Sequence, residues 1–112
     1  MTYVAVLEGD VLKAGDTQPT LKVQLYEEDE HKDITGFTCT LRVRNNKDET
    51  LILDETMSTV SPRNGVVKYA WQSGDTDAAG LHDAEVSITD GTDTITYPND
   101  GYFQIDINET LE

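Results

Sequence analysis

A chain of 112 residues is the size of one domain and too small to hold separate cofactor and substrate domains. A hydrophobic content of 37% is lean but sufficient for a single core, and no apolar run approaches the ~20 residues a membrane helix needs. Twenty-two Asp and Glu against eight Lys and Arg give a net charge of -14, which repels phosphate and argues against nucleic acid and anionic membranes as partners, leaving cations and basic surfaces.

The dominant hydrophobic period is two, so the elements read as strands. Tyr3–Leu7 forms the first. A turn-rich stretch, Lys13 to Thr20, precedes alternating Leu21, Val23 and Leu25, and the acidic run Glu27–Glu30 ends that strand. Ile34-Thr35-Gly36 leads into Phe37–Arg44, with apolar residues at odd positions and Thr38, Thr40, Arg42 and Arg44 on the opposite face. Asn45–Asp48 is a loop. Leu51, Leu53 and Met57 mark a weaker strand running to Val60, closed by the turn Ser61-Pro62-Arg63-Asn64-Gly65. Val67, Tyr69 and Trp71 share one face of the next strand. After a Gly- and Asp-rich loop, Ser73–Gly80, Ala84, Val86 and Ile88 alternate toward Asp90-Gly91, a dipeptide suited to a tight hairpin. Ile95 and Tyr97 lie on the return strand, and Phe103, Ile105 and Ile107 form the last. The tail from Asn108 to Glu112 is expected to fray, and Met1–Asp10 is a possible docking strand. About seven to eight short strands with regular turns and no amphipathic helix predict an all-β, antiparallel, immunoglobulin-like sandwich spanning 1–112 as one domain. A small closed barrel is the alternative architecture.

Residues that could carry chemistry are few. Cys39 alternates with Phe37, Leu41 and Val43, so it points into the core, where a thiol is not activated, and a single cysteine allows no internal disulfide. His31 lies among acids in a solvated loop, and acids adjacent in sequence do not converge on one ion unless the loop folds for it. His82 precedes Asp83, but no serine stands on the strained elbow or beside the oxyanion donors that a Ser–His–Asp site needs. The best cation candidate is Asp75-Thr76-Asp77-Ala78-Ala79-Gly80, with acids at positions one and three and glycine at six. The match then fails, because Ala79 replaces the third acid and Val86 stands where a bidentate Glu belongs. Asp75 and Asp77 are therefore weak metal candidates only. Asp90, Asp93 and Asp100 lie at loop ends with nothing to bring them together. Phosphate-cradling glycine loops are absent. Asn108-Glu109-Thr110 is a formal glycosylation triplet, but the first ten residues lack the basic and apolar regions of a signal peptide. No catalytic residue and no cofactor is expected. Trp71 fills the core, whereas Tyr102, alternating opposite Phe103, is exposed.

The segment from Leu12 to Val23 carries a Gly15-Asp16-Thr17 turn leading into a strand. Asp33-Ile34-Thr35-Gly36 follows, then Leu41-Arg42-Val43-Arg44, then Asn64-Gly65-Val66-Val67-Lys68-Tyr69 with Trp71. Ala79-Gly80 feeds the strand through Val86, and Tyr97-Pro98 turns before Phe103. In this order and spacing the chain resembles the N-terminal domain of phage baseplate upper proteins, over about Leu12 to Ile107. Leu81-His82 departs from the aromatic that the family often places after the glycine turn. The resemblance implies a non-enzymatic structural virion protein of a tailed virus, located in the baseplate or tail and docking to other virion proteins, as a homo-oligomer within a symmetric assembly. Capsid-surface decoration is the runner-up. A secreted or cell-surface module for carbohydrate or calcium is the alternative from another class. Tyr3, Val4, Val6 and Tyr102 are the expected interface residues; the first three either extend a neighbour's sheet or complete their own. The excess of Asp over Glu (13 to 9) with only five Lys also resembles proteins from salt-loving organisms.

Overall fold

The computed structural model describes residues 1–111. Eleven strands occur in chain order: β1 (Thr2–Glu8), β2 (Val11–Lys13), β3 (Leu21–Glu27), β4 (Glu30–His31), β5 (Thr38–Asn45), β6 (Leu51–Thr56), β7 (Ser58–Ser61), β8 (Val66–Tyr69), β9 (Gly80–Thr89), β10 (Thr94–Tyr97) and β11 (Phe103–Asn108). A 3-10 turn at Pro62–Asn64 joins β7 to β8. The strands form two sheets. The first has the order β1-β3-β8-β7, with β4 paired to β3; the second has the order β2-β11-β9-β5-β6, with β10 paired to β9.

The all-β class follows the alternation. Leu21, Val23 and Leu25 on β3, Val67 on β8, Leu41 and Val43 on β5, Val86 and Ile88 on β9 and Ile105 on β11 are all buried between the sheets. Their intervening neighbours face outward, as the pleat requires. Trp71 and Tyr69 meet edge to face in this core, ring centroids 5.5 Å apart. Cys39 is buried there too, and desolvation pushes its thiol up to about 11.

Several expectations need correction. The strand count is eleven rather than seven to eight, because β2 and β4 have three and two residues, too few to show a period. In addition, the run Leu51–Val60 is not one strand. It leaves the second sheet after Thr56 and enters the first at Ser58, with Met57 buried between the sheets and its N–H donating to the Cys39 carbonyl at 2.8 Å. Nor is the pairing purely antiparallel: β11 and β2 run parallel, Asp106 to Asn108 beside Val11 to Lys13. Hydrophobic alternation carries no information about strand direction, so only the closed structure could show this. Asn108, where fraying was expected to start, belongs to β11, and its carbonyl accepts from the Ala14 N–H at 2.7 Å; Glu112 lies outside the described residues.

The Asn64-Gly65 turn holds because Gly65 has φ +71°, and a Cβ there would stand 2.6 Å from the Lys32 carbonyl oxygen. The missing side chain lets the loop after β4 close onto the turn before β8.

Candidate docking surface

The outer face of the second sheet is built from the residues that alternate away from the core. Register places Arg44 beside Asp83, and Arg42 between Glu85 and Asp54. On the other side of β9, Gln104 pairs with Asp83. Two cross-strand rows result. In one, Arg42 reaches Glu85 at 3.6 Å and Asp54 at 3.5 Å. In the other, Asp83 accepts hydrogen bonds from Arg44 Nε at 3.1 Å, Asn46 Nδ2 at 2.9 Å and Gln104 Nε2 at 2.8 Å.

Asp83 is only 5% exposed although it points away from the core, because these partners and their stems cover it. Burial pushes its carboxyl up. The hydrogen bonds from Asn46, Gln104 and Arg44 outweigh that and hold it below the usual carboxylate range. The same Arg44 guanidinium lies over the Tyr102 ring, 4.5 Å from its centroid. Arg42, Arg44, Leu51, Asp83, Glu85 and Tyr102 line a shallow groove of about 170 Å³. That volume is below the roughly 300–1,000 Å³ of small-molecule sites. Two of the chain's three arginines stand here, each paired with carboxylates, so the face is a mixed-charge network on a strongly acidic molecule.

Tyr102 is 44% exposed, at this groove. Tyr3, Val4 and Val6 lie elsewhere, on β1. Val4 and Val6 pack against the core, and Tyr3 stacks on Tyr26 at 4.8 Å on the outer face of the first sheet. The possible docking strand 1–10 thus completes its own sheet, pairing Thr2 through Glu8 with β3.

Asp75, one of the two weak cation candidates, is engaged within its own loop. Asp75 Oδ2 accepts from the Tyr69 hydroxyl at 2.6 Å and from the Gln72 N–H at 2.8 Å, which ties the loop after β8 to the core. Burial, then this bond to Asp75, raises the Tyr69 hydroxyl well above its ordinary value. Among the described residues no group of three or more His, Cys, Asp or Glu is placed to hold a metal ion. Asp90 is used within its own hairpin, where Oδ1 accepts from the Thr92 and Asp93 N–H groups at 2.9 and 2.8 Å. His82 is fully buried, its Nδ1 3.0 Å from the Gly80 carbonyl, and strand alternation turns it to the opposite face from Asp83. The two adjacent residues therefore cannot act as a pair. His31 is exposed on β4.

Sequence reading missed Asp83 as the hub of the outer network. The signal was present in Thr38, Thr40, Arg42 and Arg44 facing one way, but only the register between β5 and β9 brings Arg44 to Asp83.

Two sheets closed over an apolar core, with a charged and aromatic outer face, define an all-β sandwich-like domain. Residues 11–109 match the family model of the BppU N-terminal domain. The chain belongs to that family, the N-terminal domain of phage baseplate upper proteins, and it is a virion component. The match takes in ten of the eleven strands, β2 to β11; β1 precedes it. Comparison with curated proteins finds no match. The family is one of baseplate structural proteins, which points to a non-enzymatic role and to interaction with other virion proteins.

Proposed function

We propose that this protein is a non-enzymatic tail or baseplate component, one immunoglobulin-like domain over 1–112, that docks to other virion proteins through the Arg42–Arg44–Tyr102 face within a symmetric assembly. The family match over residues 11–109 carries this reading. The outer face supports it. Its charges are held in cross-strand rows, so the side chains a partner would meet are already ordered and less entropy is lost on docking. An exposed ring and guanidinium in a shallow groove are the kinds of groups that dominate protein interfaces.

Mass spectrometry of gradient-purified particles with cross-linking tests it. Cross-links from the groove to tail proteins are expected. Cross-links to capsid proteins alone would move the chain to the head surface as a decoration protein. Recovery only in an envelope or secreted fraction would overturn the virion role in favour of a carbohydrate or calcium module. Tyr102→Ser removes the ring beneath Arg44 without touching the core; it is expected to leave melting unchanged and to reduce incorporation into particles.

A further inference from the structure

Sheet edges expose unpaired backbone groups, and proteins blunt them with short strands, bulges or charge. Most edges of this molecule follow that rule. β2 has three residues and β4 has two. β7 has four and a bulge between Thr59 and Ser61. β10 has four. β6 carries Asp54 and Glu55. β1 is different: it is seven residues long, ends its sheet, and from Tyr3 to Leu7 has no charge and no proline. Its register with β3 is regular until the irregularity between Val6 and Glu8.

The direction of its backbone groups follows from its first residues. The Met1 carbonyl accepts from Glu28 N–H at 3.0 Å, toward the end of β3. Thr2 turns the other way, its N–H donating to Asn99 Oδ1 at 3.1 Å and its carbonyl accepting from Asn99 N–H at 3.5 Å. Backbone groups alternate along a strand, so Tyr3 and Ala5 bond to β3, while the N–H and C=O of Val4 and Val6 face the open side. Asn99, with the Thr96 carbonyl accepting from the Thr2 hydroxyl at 3.1 Å, closes the edge at Thr2, and the outward N–H and C=O of Val4 and Val6 have no backbone partner among the described residues.

We propose that β1 is a self-association edge, on which a second copy of this chain pairs its own β1 antiparallel about a two-fold axis through Ala5. In that register Val4 lies opposite the second copy's Val6 and Val6 opposite its Val4, forming four backbone hydrogen bonds. On the outer face Tyr3 lies opposite Leu7, and Leu7, otherwise exposed, gains an apolar neighbour. The ladder ends there, because Asn99 occupies the edge at Thr2 where the second copy's Glu8 would otherwise lie. On a molecule of charge -14 this uncharged run is where a second copy is least repelled. The short interface predicts weak association in free solution, reinforced where neighbours are already held in an assembly. The inference does not depend on the virion role, since it concerns the purified chain alone.

The test combines sedimentation equilibrium with amide exchange on the full chain over a concentration series. A monomer–dimer equilibrium is expected, strengthened by salt because both copies are acidic. The Val4 and Val6 amides should gain protection with concentration, while Tyr3 and Ala5 are protected throughout. Ala5→Lys places two like charges face to face only in the dimer, and should raise the dissociation constant by up to about fivefold with an unchanged circular dichroism spectrum. A chain that stays monomeric to millimolar concentration with Val4 and Val6 amides open overturns the proposal. So does a dimer that forms without protecting them, or one that salt dissociates. Protection appearing only on addition of another virion protein also overturns it and assigns the edge to that protein. The exchange measurement needs no variant, so misfolding of Ala5→Lys would not spare the proposal.

Discussion

Asp83 shows how one residue can order an outer face. It stands on a strand buried on one side, yet three donors converge on it from β5, the following loop and β11. Removing it strands those donors, so Asp83→Ala is expected to cost about 1–3 kcal/mol, read as a lower urea midpoint. An unchanged midpoint would mean that water replaces the carboxylate without loss. Tyr97 makes the opposite case. Its hydroxyl is buried and makes no hydrogen bond of good geometry, and Glu27 Oε2 beside it is paired with Lys32 Nζ at 3.3 Å. Burial and then the Glu27 charge push its hydroxyl up to about 12. Tyr97→Phe deletes a desolvated polar atom and keeps the ring, so stability should hold or rise by up to about 1 kcal/mol. A clear loss in the same urea titration would show that the hydroxyl is satisfied in solution.

At the scale of elements, the periodic strands were legible and the short ones were not. β3, β5, β9 and β11 each carry three or more inward apolar residues at spacing two, and their faces follow from that pattern. β2 and β4 exist because a neighbour offers them an edge, which is a tertiary cause. The passage of Leu51–Ser61 from one sheet to the other is also tertiary. Nothing in its local pattern marks Met57 as a crossing point, and the turn between sheets follows the geometry of two packed layers. The turn at Gly65 belongs to both levels. Asn64-Gly65 announces it, but the need for glycine comes from the Lys32 carbonyl that crowds it. Gly65→Ala is expected to cost about 2 kcal/mol or more, because left-handed strain and a backbone contact add. Thermal melting checks it; a variant within half a degree of the parent would mean that the loop after β4 yields freely.

At the scale of the molecule, charge governs the response to solution conditions. Four carboxyls sit below their ordinary range: Asp33 through the Thr35 hydroxyl and N–H, Asp48 through the Thr50 N–H, Asp90 through the Asp93 and Thr92 N–H groups, and Asp83 as described. A carboxyl lowered by folding stabilises above its unfolded value, about 3.9, and that contribution is lost as pH falls through the folded value. The repulsion of -14 works the other way, easing as the pH approaches the isoelectric value near 4.2. The melting temperature should therefore rise modestly from pH 7 toward about 5 and fall below about pH 4. At pH 7 it should rise with salt as screening relieves the repulsion. A flat salt series at pH 7 would remove repulsion as a limit on stability and, with it, the support for a salt-adapted origin.

The sequence by itself determined the all-β class, the inward residues of the long strands, the burial of Cys39 and Trp71, and the exposure of Tyr102. All of these follow from local alternation, which depends only on which side of a pleat each residue takes. The Gly-Asp-Thr turn, the Asp33–Gly36 step and the Tyr97-Pro98 turn, taken in order, also pointed to the baseplate family. Only the tertiary structure decided the parallel pairing of β11 with β2, the convergence of Arg44, Asn46 and Gln104 on Asp83, and the position of β1 at an open edge. Each depends on register between segments far apart in the chain, and register is set when the two sheets close on a common core.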